Sequence, residues 1–585
     1  MTLRWPVETS LSERLPLYTR ANIGEVFPDP VAPLSMTLYF FDVEGSGDGY
    51  AEMGFRDAHV RLGSFEYHEF PDNQSVFVGV TGSYPYLNGS VFRVFGERAP
   101  GLSAEAMDAM WFGAQPGIPP YVKMDGDEQP HLTTKLGETF GWCMTVDSLP
   151  ELADDEARIA ALRAARPDVS AMANNELVAR MREIMATHMR ELFGRHIFFS
   201  LAGSLPVGAI QQFTAAVGAP EVALTLLGGL GDVMSAKPSM VMWDLGRQVA
   251  TSAELMAAFG GGVNGLIERL RGSGSDDAKA FVAAFDEFIY EYGSRGPNEW
   301  EMRSPNWETN PELALAAIDR MRLADGDADP EAHHRAMAAA RETATAEMRV
   351  KLAGDPDLAA QFDGAMRAAR LLLPARERCK TTVIRMINEA RVCMYELGHR
   401  MVAAGHFTAA NDFGALTDDE LTQFLVDPAP FRDTICERVA LFPIFAQLRE
   451  PFFFDSAPPP LDQWPRRDEG IAPPLRKGET LTGFAGCPGT AAGRARVVLD
   501  SFDPTALEPG DVLVAPITDP SWTPLFVPAC AVVVDVGAAM THAVIVSREL
   551  GIPCVVSATD ATRRIPDGAL IEVDGTTGAV TVLEI

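Results

Sequence analysis

One stretch near the end of the chain constrains folding more than any other: Ala531-Val-Val-Val-Asp-Val-Gly-Ala-Ala-Met-Thr-His-Ala-Val-Ile-Val-Ser-Arg-Glu-Leu-Gly-Ile-Pro-Cys-Val-Val556. Ala531 to Val536 is a mostly β-branched apolar run of strand length. Gly537 turns the chain, and Thr541 is placed to cap a helix of about nine residues. Gly551 suits the position just past a helix end, Pro553 forbids continuation, and Cys554 to Val556 resumes as strand. His542 is the first residue after the cap. It faces unpaired backbone N–H groups and the positive end of a helix dipole, a place suited to an anion. A neutral imidazole nitrogen that takes up a phosphoryl group becomes an anion carrier. A lone His is more often a buried or incidental side chain. Here strand, cap, His and Gly-Ile-Pro stop occur together, which favours the carrier.

The run Thr541-His542-Ala-Val-Ile-Val-Ser-Arg-Glu-Leu-Gly-Ile-Pro553 resembles the phosphohistidine motif of the swivelling domain in phosphoenolpyruvate-utilising enzymes. That family includes phosphoenolpyruvate synthase, pyruvate phosphate dikinase, rifampin phosphotransferase and phenylphosphate synthase. The resemblance implies that His542 is the phosphocarrier and that Thr541 binds the phosphate. Members usually carry two consecutive glycines before this turn. Here the second position is Ala538, so a stiffer or differently shaped loop is expected. The glycine-punctuated run from Gly483, the strand and loop from Pro509 to Phe526, and a closing hairpin from Gly568 extend the resemblance over the last domain. The loop at Gly483 lacks the Lys-Ser/Thr of a phosphate loop and the spacing of a dinucleotide fingerprint.

At 585 residues the chain should form more than one domain, and 47% hydrophobic with 22% charged residues reads as globular. A net charge of −31 argues against nucleic acid and anionic membrane surfaces, and requires a local basic pocket for any anionic ligand. Seven scattered cysteines without a CxxC pair suggest reduced thiols and a cytoplasmic location. No metal spacing is present, and no metal ligand set is assigned. The N-terminus lacks a signal-peptide core, and the apolar run Val222-Ala-Leu-Thr-Leu-Leu-Gly-Gly-Leu is too short to span a membrane.

Upstream, three prolines within six positions after Phe27 make a rigid loop following Arg20, Asn22 and Glu25. Physics alone reads this as a strap over a core. Its Arg-x-Asn-x-Gly-Glu-x-x-Pro pattern resembles the opening of the central domain of rifampin phosphotransferase, which implies that these three residues bind substrate. Ser75 to Val80 and Tyr86 to Phe92 read as short extended pieces whose aromatics fill core. Ala171 to Leu201 is a strong amphipathic helix, with His188 and His196 as packing or solvent-facing residues. A helix ending at Gly293 leads into a polar loop with Arg295, Asn298, Glu299 and Arg303. Its Tyr-Gly-x-Arg-Gly…Pro-x-Trp pattern resembles the acceptor domain of the same enzymes and implies that Arg295 and Glu299 bind substrate. After Pro374, Arg376 and Lys380 share a helix face. Two cations there need an anion between them: Glu377 by the plain structural reading, a transferring phosphoryl group by the functional one. The resemblance implies the clamp. Arg385 and Arg391 read as salt-bridged along the helix, and Thr417 to Glu420 as a capping box.

The expected fold class is α+β multidomain: a mostly helical acceptor-binding domain over 1–454, a stiff, solvated Pro-rich linker over 455–478 and a small α/β swivelling domain over 479–585. No ATP-grasp domain is expected before residue 13, and no (β/α)₈ barrel is expected after residue 585. The chain then resembles the larger subunit of phenylphosphate synthase. A separate ATP-grasp subunit, bringing ATP and Mg²⁺, would charge His542 with release of AMP and phosphate. The phosphoryl group would pass to a small-molecule hydroxyl acceptor, phenols being one class. His399, His406 and Glu299 are candidate bases by residue type alone. The competing reading is a non-catalytic phosphocarrier or regulatory binding protein.

Overall fold

The computed structural model describes residues 5–585 other than 10, 41–48, 72–74, 113–114, 116, 231–236, 324–329, 471, 500–506, 520–521 and 538–540. The chain forms two compact units. One comprises Met1–Leu205, Trp300–Ser304 and Leu371–Glu469, and the other Pro206–Glu299, Pro305–Arg370 and Gly470–Ile585. The helical part therefore contributes to both units, and the division at Glu469 falls inside the proline-rich segment.

In the first unit, β1 (Leu17–Thr19), β2 (Val78–Thr81), β3 (Tyr84–Asn88) and β4 (Phe453–Asp455) form an antiparallel sheet in the order β2-β3-β1-β4. Tyr18, Tyr84 and Tyr86 are buried, and Phe454 stacks on Tyr18 at 5.7 Å. The extended piece expected to reach Phe92 stops at Asn88. The Asn88 side chain accepts from the Val91 N–H at 3.3 Å and opens a helix over Gly89–Arg98. The capping box at Thr417 and Glu420 forms as read, with both of its hydrogen bonds present.

Two helices run longer than the sequence pattern indicates. Asn174–Ala216 continues through Pro206, and Pro356–Ala403 passes through Pro374. Proline removes one intrahelical hydrogen bond, but burial of neighbours such as Leu372 and Ala375 on the second helix holds its path. Arg391 is fully buried and donates to the Glu301 and Met302 carbonyls.

The proline-rich segment is mostly exposed, and two apolar residues within it anchor it. Trp464 is buried in the first unit, and Arg449 and Arg467 donate backbone N–H groups to Pro465 and Gln447 around it. Leu475 is buried in the second unit and donates to Arg564 at 2.6 Å.

The second unit pairs helices with an eight-stranded sheet. Its strands are β5 (Thr480–Thr482), β6 (Phe484–Cys487), β7 (Thr490–Val497), β8 (Val512–Ala515), β9 (Ala531–Val534), β10 (Cys554–Val556), β11 (Leu570–Asp574) and β12 (Ala579–Glu584). The order is β5-β12-β11-β7-β8-β9-β10-β6. Strands β7 to β10 are mutually parallel and the flanking pairs antiparallel. Alternation along β9 sends Val532 and Val534 into one core with Phe281, Phe285 and Trp307 of the helical part, and Val533 into a second core with Ile571 and Val580. The β8-to-β10 parallel core carries the histidine on one of its crossovers. Among the described residues no helix is long and apolar enough to cross a membrane.

Candidate functional site

The site is assembled by the two connections that leave β8 and β9. The first passes Thr518, Asp519 and Trp522 into a short helix, Thr523–Phe526. The second makes the turn at Gly537 and enters the helix His542–Leu550. Asp535 and Val536 donate backbone N–H groups to Ala515 and Pro516, which draws the two connections together. Gly537 is required by close approach: a Cβ there would lie 2.7 Å from that of Val556 and 3.2 Å from Thr541 Oγ1. Gly551 closes the helix in the left-handed conformation at φ 66°, as the sequence indicates.

His542 occupies the first helical position, with Thr541 as the extended N-cap residue. The Thr541 side chain makes no cap hydrogen bond to the helix, unlike the expectation for its residue type. The imidazole is half-buried and clasped at both nitrogens: Nδ1 lies 3.1 Å from Thr518 Oγ1, and Nε2 lies 3.1 Å from Thr523 Oγ1. Both threonines are buried, and Phe526 meets the ring edge-on at 5.8 Å. A hydroxyl both donates and accepts, so either neutral tautomer of His542 finds a complementary partner on each side. The arrangement fixes the ring plane at a helix N-terminus, where the dipole favours negative charge.

Sequence reasoning placed His542 but missed Thr518 and Thr523. Their signal was two threonines bracketing a loop after a strand, Thr518-Asp-Pro-Ser-Trp-Thr523, which has no meaning until the fold brings the loop to the histidine. Ala538, the departure from the family's glycine pair, lies outside the described residues.

The second unit also holds the polar loop after Tyr292. Arg295 Nη1 contacts both carboxylate oxygens of Glu299, at 3.0 and 2.9 Å, and both side chains are at most 2% exposed. This geometry is that of a buried ion pair. The Trp307 and Glu308 N–H groups donate back to Arg295 and Gly293, which closes the loop. Asn298 stands at φ 49° and donates its backbone N–H to Asp519 Oδ2 at 2.9 Å, tying this loop to the connection that carries Thr518.

The remaining sequence-named residues belong to the first unit. Arg20 is buried, donates to the carbonyls of Pro85 and Phe27 at 2.6 Å each, and lies over the rings of Tyr84 and Tyr86. It braces the sheet. Asn22 is exposed, at φ 64°, and Glu25 is half-buried two residues into the short helix that Asn22 opens.

Arg376 and Lys380 are both half-buried on the helix Pro356–Ala403. Arg376 approaches Glu377 only at 4.0 Å. Burial first, then the Arg376 and Lys380 charges, pushes the His196 imidazole down to about 3, so this ring is neutral beside the two cations. His196 tilts against Trp300 with ring centroids 5.6 Å apart. His399 is exposed on the same helix as Lys380, nineteen residues or about 28 Å further along, too far to act on one substrate with it. His406 packs edge-on against Phe424. Among the described residues no three His, Cys, Asp or Glu side chains converge as metal ligands.

With this geometry in view, comparison with known proteins is informative. Residues 195–377 match the family described as rifampicin phosphotransferase fourth domain, and residues 507–578 match the PEP-utilising enzyme mobile domain. An uncharacterized protein of Mycobacterium tuberculosis (strain H37Rv) is 34% identical over 53% of this chain and 32% of its own length. The uncharacterized phosphotransferase YvkC of Bacillus subtilis (strain 168) is 27% identical over 60% of this chain and 42% of its own. Rifampicin phosphotransferase of Streptomyces sviceus is 31% identical over 51% of this chain and 34% of its own. The chain thus spans about a third to two fifths of the length of the curated relatives it matches.

Proposed function

We propose that this chain, a member of the PEP-utilising enzyme family close to the rifampicin phosphotransferases, is the carrier and acceptor part of a phosphotransferase, with His542 as the phosphocarrier. The observation that carries this reading is the double clasp of His542. A helix N-terminus gives the phosphoryl oxygens backbone N–H groups and a favourable dipole, and two buried threonine hydroxyls hold the ring at its nitrogens. For phosphorylation, one nitrogen gives up its threonine partner and its lone pair forms the N–P bond. The other threonine retains the ring by accepting a hydrogen bond from the remaining N–H.

An ATP-grasp module on a partner subunit, holding Mg²⁺ and ATP, is the proposed source of the phosphoryl group. The partner would transfer the β-phosphate of ATP to His542 while the γ-phosphate leaves to water as inorganic phosphate. The carrier then delivers its phosphoryl group to the hydroxyl oxygen of a small organic acceptor. The N–P bond breaks, an O–P bond forms, and the hydroxyl proton passes to a base. The overall products are AMP, phosphate and the phosphorylated acceptor. The role proposed for Arg376 and Lys380 is to neutralise the equatorial oxygens during transfer, since positioning and electrostatics dominate this chemistry. Arg20, Asn22, Glu25, Arg295 and Glu299 remain proposed acceptor-side residues. For Arg20, Arg295 and Glu299 the burial and mutual bonding described above make that role one of shaping the site. Phenols and macrocyclic alcohols, with rifampicin among the compounds tried, are the acceptor classes to screen.

The test mixes the chain with an ATP-grasp partner and β-labelled ATP. Acid-labile label on the wild type, absent from His542→Ala, is expected. Equal label on both proteins would end the carrier reading.

A further inference from the structure

Asp519 has no place in the reading so far, yet it lies between the two features that reading needs. Its neighbour Thr518 holds His542 Nδ1, and Thr523, at the far end of the same connection, holds Nε2. Its own carboxylate is buried, and Oδ2 accepts the Asn298 backbone N–H at 2.9 Å. Its carbonyl accepts the N–H of Trp522, the residue next to Thr523, at 2.9 Å. Trp522 and Phe526 are buried in the same core as Trp307, so the connection is packed against the helical part as well as hydrogen-bonded to it.

The other end of the contact is rigid. Asn298 takes the left-handed backbone that few non-glycine residues adopt, at φ 49°. The loop on either side of it is braced by the Arg295–Glu299 pair and by Gly296, whose Cβ would fall 2.7 Å from the Asn306 Cα. A donor N–H held by such a loop defines one position for the carboxylate that accepts it. The carboxylate in turn defines where both threonines stand.

We propose that Asp519 is a positioning residue. It registers the seating of the carrier segment on the Asn298 loop and sets the threonine clasp that orients His542. Seated, the carboxylate is held and the ring is fixed. Unseated, the Asn298 bond is lost and the clasp loosens. The inference rests on His542 being the phosphocarrier and adds a residue that acts on it only through Thr518 and Thr523.

The experiment compares full-length wild type, Asp519→Asn and Asp519→Ala, with histidine labelled by ¹⁵N. Imidazole nitrogen shifts read which ring nitrogen of His542 carries the proton. Potassium phosphoramidate supplies a phosphoryl group without any partner protein: the His542 lone pair forms N–P, the P–N bond breaks, and ammonia leaves. Asp519→Asn keeps an oxygen for the Asn298 N–H. Wild type and Asp519→Asn are expected to show the same tautomer balance and labelling rates within about twofold of each other. Asp519→Ala is expected to show a balance shifted toward that of a free imidazole and labelling slower by about tenfold, the scale of one hydrogen bond to a charged group. A wild-type tautomer balance and rate in Asp519→Ala would overturn the proposal. Should that variant not fold, Asp519→Glu decides: its longer arm moves the acceptor oxygen off the Asn298 N–H, and wild-type behaviour there would overturn the proposal equally. A wild type that takes no label at His542 refutes the carrier reading instead, and the tautomer comparison still decides the role of Asp519.

Discussion

Asp535 closes β9 and begins the turn that leads to His542, and it allows the stability of that turn to be worked out quantitatively. Its carboxylate is buried and accepts the Thr562 backbone N–H at 2.8 Å together with the Thr562 hydroxyl. Burial, the dominant cause, raises its pKa from 3.8 to about 6, against the lowering effect of the two Thr562 hydrogen bonds. A raised acid pKa means that the folded chain binds the proton more tightly than the unfolded chain. The stability of the neutral form is fully present below pH about 4 and is lost as pH rises through about 6. Two pKa units correspond to about 3 kcal/mol at neutral pH as an upper bound. Asp535→Asn keeps an acceptor for the Thr562 N–H and has no charge to bury. Its advantage over wild type should be near zero at pH 4 and grow to about 2 kcal/mol by pH 8. Because a chain of this size is not expected to unfold in two states, the assay is native-state hydrogen exchange on peptides covering 531–565, corrected for intrinsic rates at pH 5 and pH 8. Protection that does not change with pH, or a variant less protected at pH 8, would refute the reasoning.

Other expectations follow from the same geometry. Glu299→Gln should destabilise the second unit by about 3 kcal/mol by leaving Arg295 charged in a buried site, read as accelerated exchange over residues 285–307; unchanged exchange would make Glu299 a ligand-facing residue rather than a brace. Gly398→Ala should lower the melting temperature and cost at least about 2 kcal/mol, because its Cβ would overlap the Ala410 carbonyl oxygen, a backbone atom that cannot swing aside. Lys380→Ala should leave loading of His542 unchanged and slow its discharge to acceptor by about a hundredfold; normal discharge would remove Lys380 from the clamp.

The helix His542–Leu550 was legible because the signals that define it are local: a β-branched run, a glycine turn and a Gly-Ile-Pro stop. The Thr417–Glu420 capping box was legible for the same reason. What the sequence concealed depends on distant partners. Strand β1 pairs with β4 across more than four hundred residues, and three-residue strands carry too little pattern to announce themselves. Pro206 and Pro374 are residues that ordinarily end a helix, yet tertiary packing carries both helices through them. For Arg295, Glu299, Arg20 and Arg391 the sequence does not show the partner, because a charge does not reveal whether it meets water, a carboxylate or a carbonyl. Burial supplied the answer in each case. Thr518 and Thr523 belong with these: their role exists only once β8 and β9 lie side by side.

The most direct test of the central claim is to locate the phosphoryl group in protein loaded by an ATP-grasp partner, by mass spectrometry of the peptide carrying His542 under neutral conditions. The account predicts a single acid-labile phosphoryl group on His542, lost in His542→Asn and formed more slowly when both Thr518 and Thr523 are replaced by valine. An acid-stable phosphate on Thr541 or Ser547, or a loaded protein whose label lies outside this peptide, would contradict it.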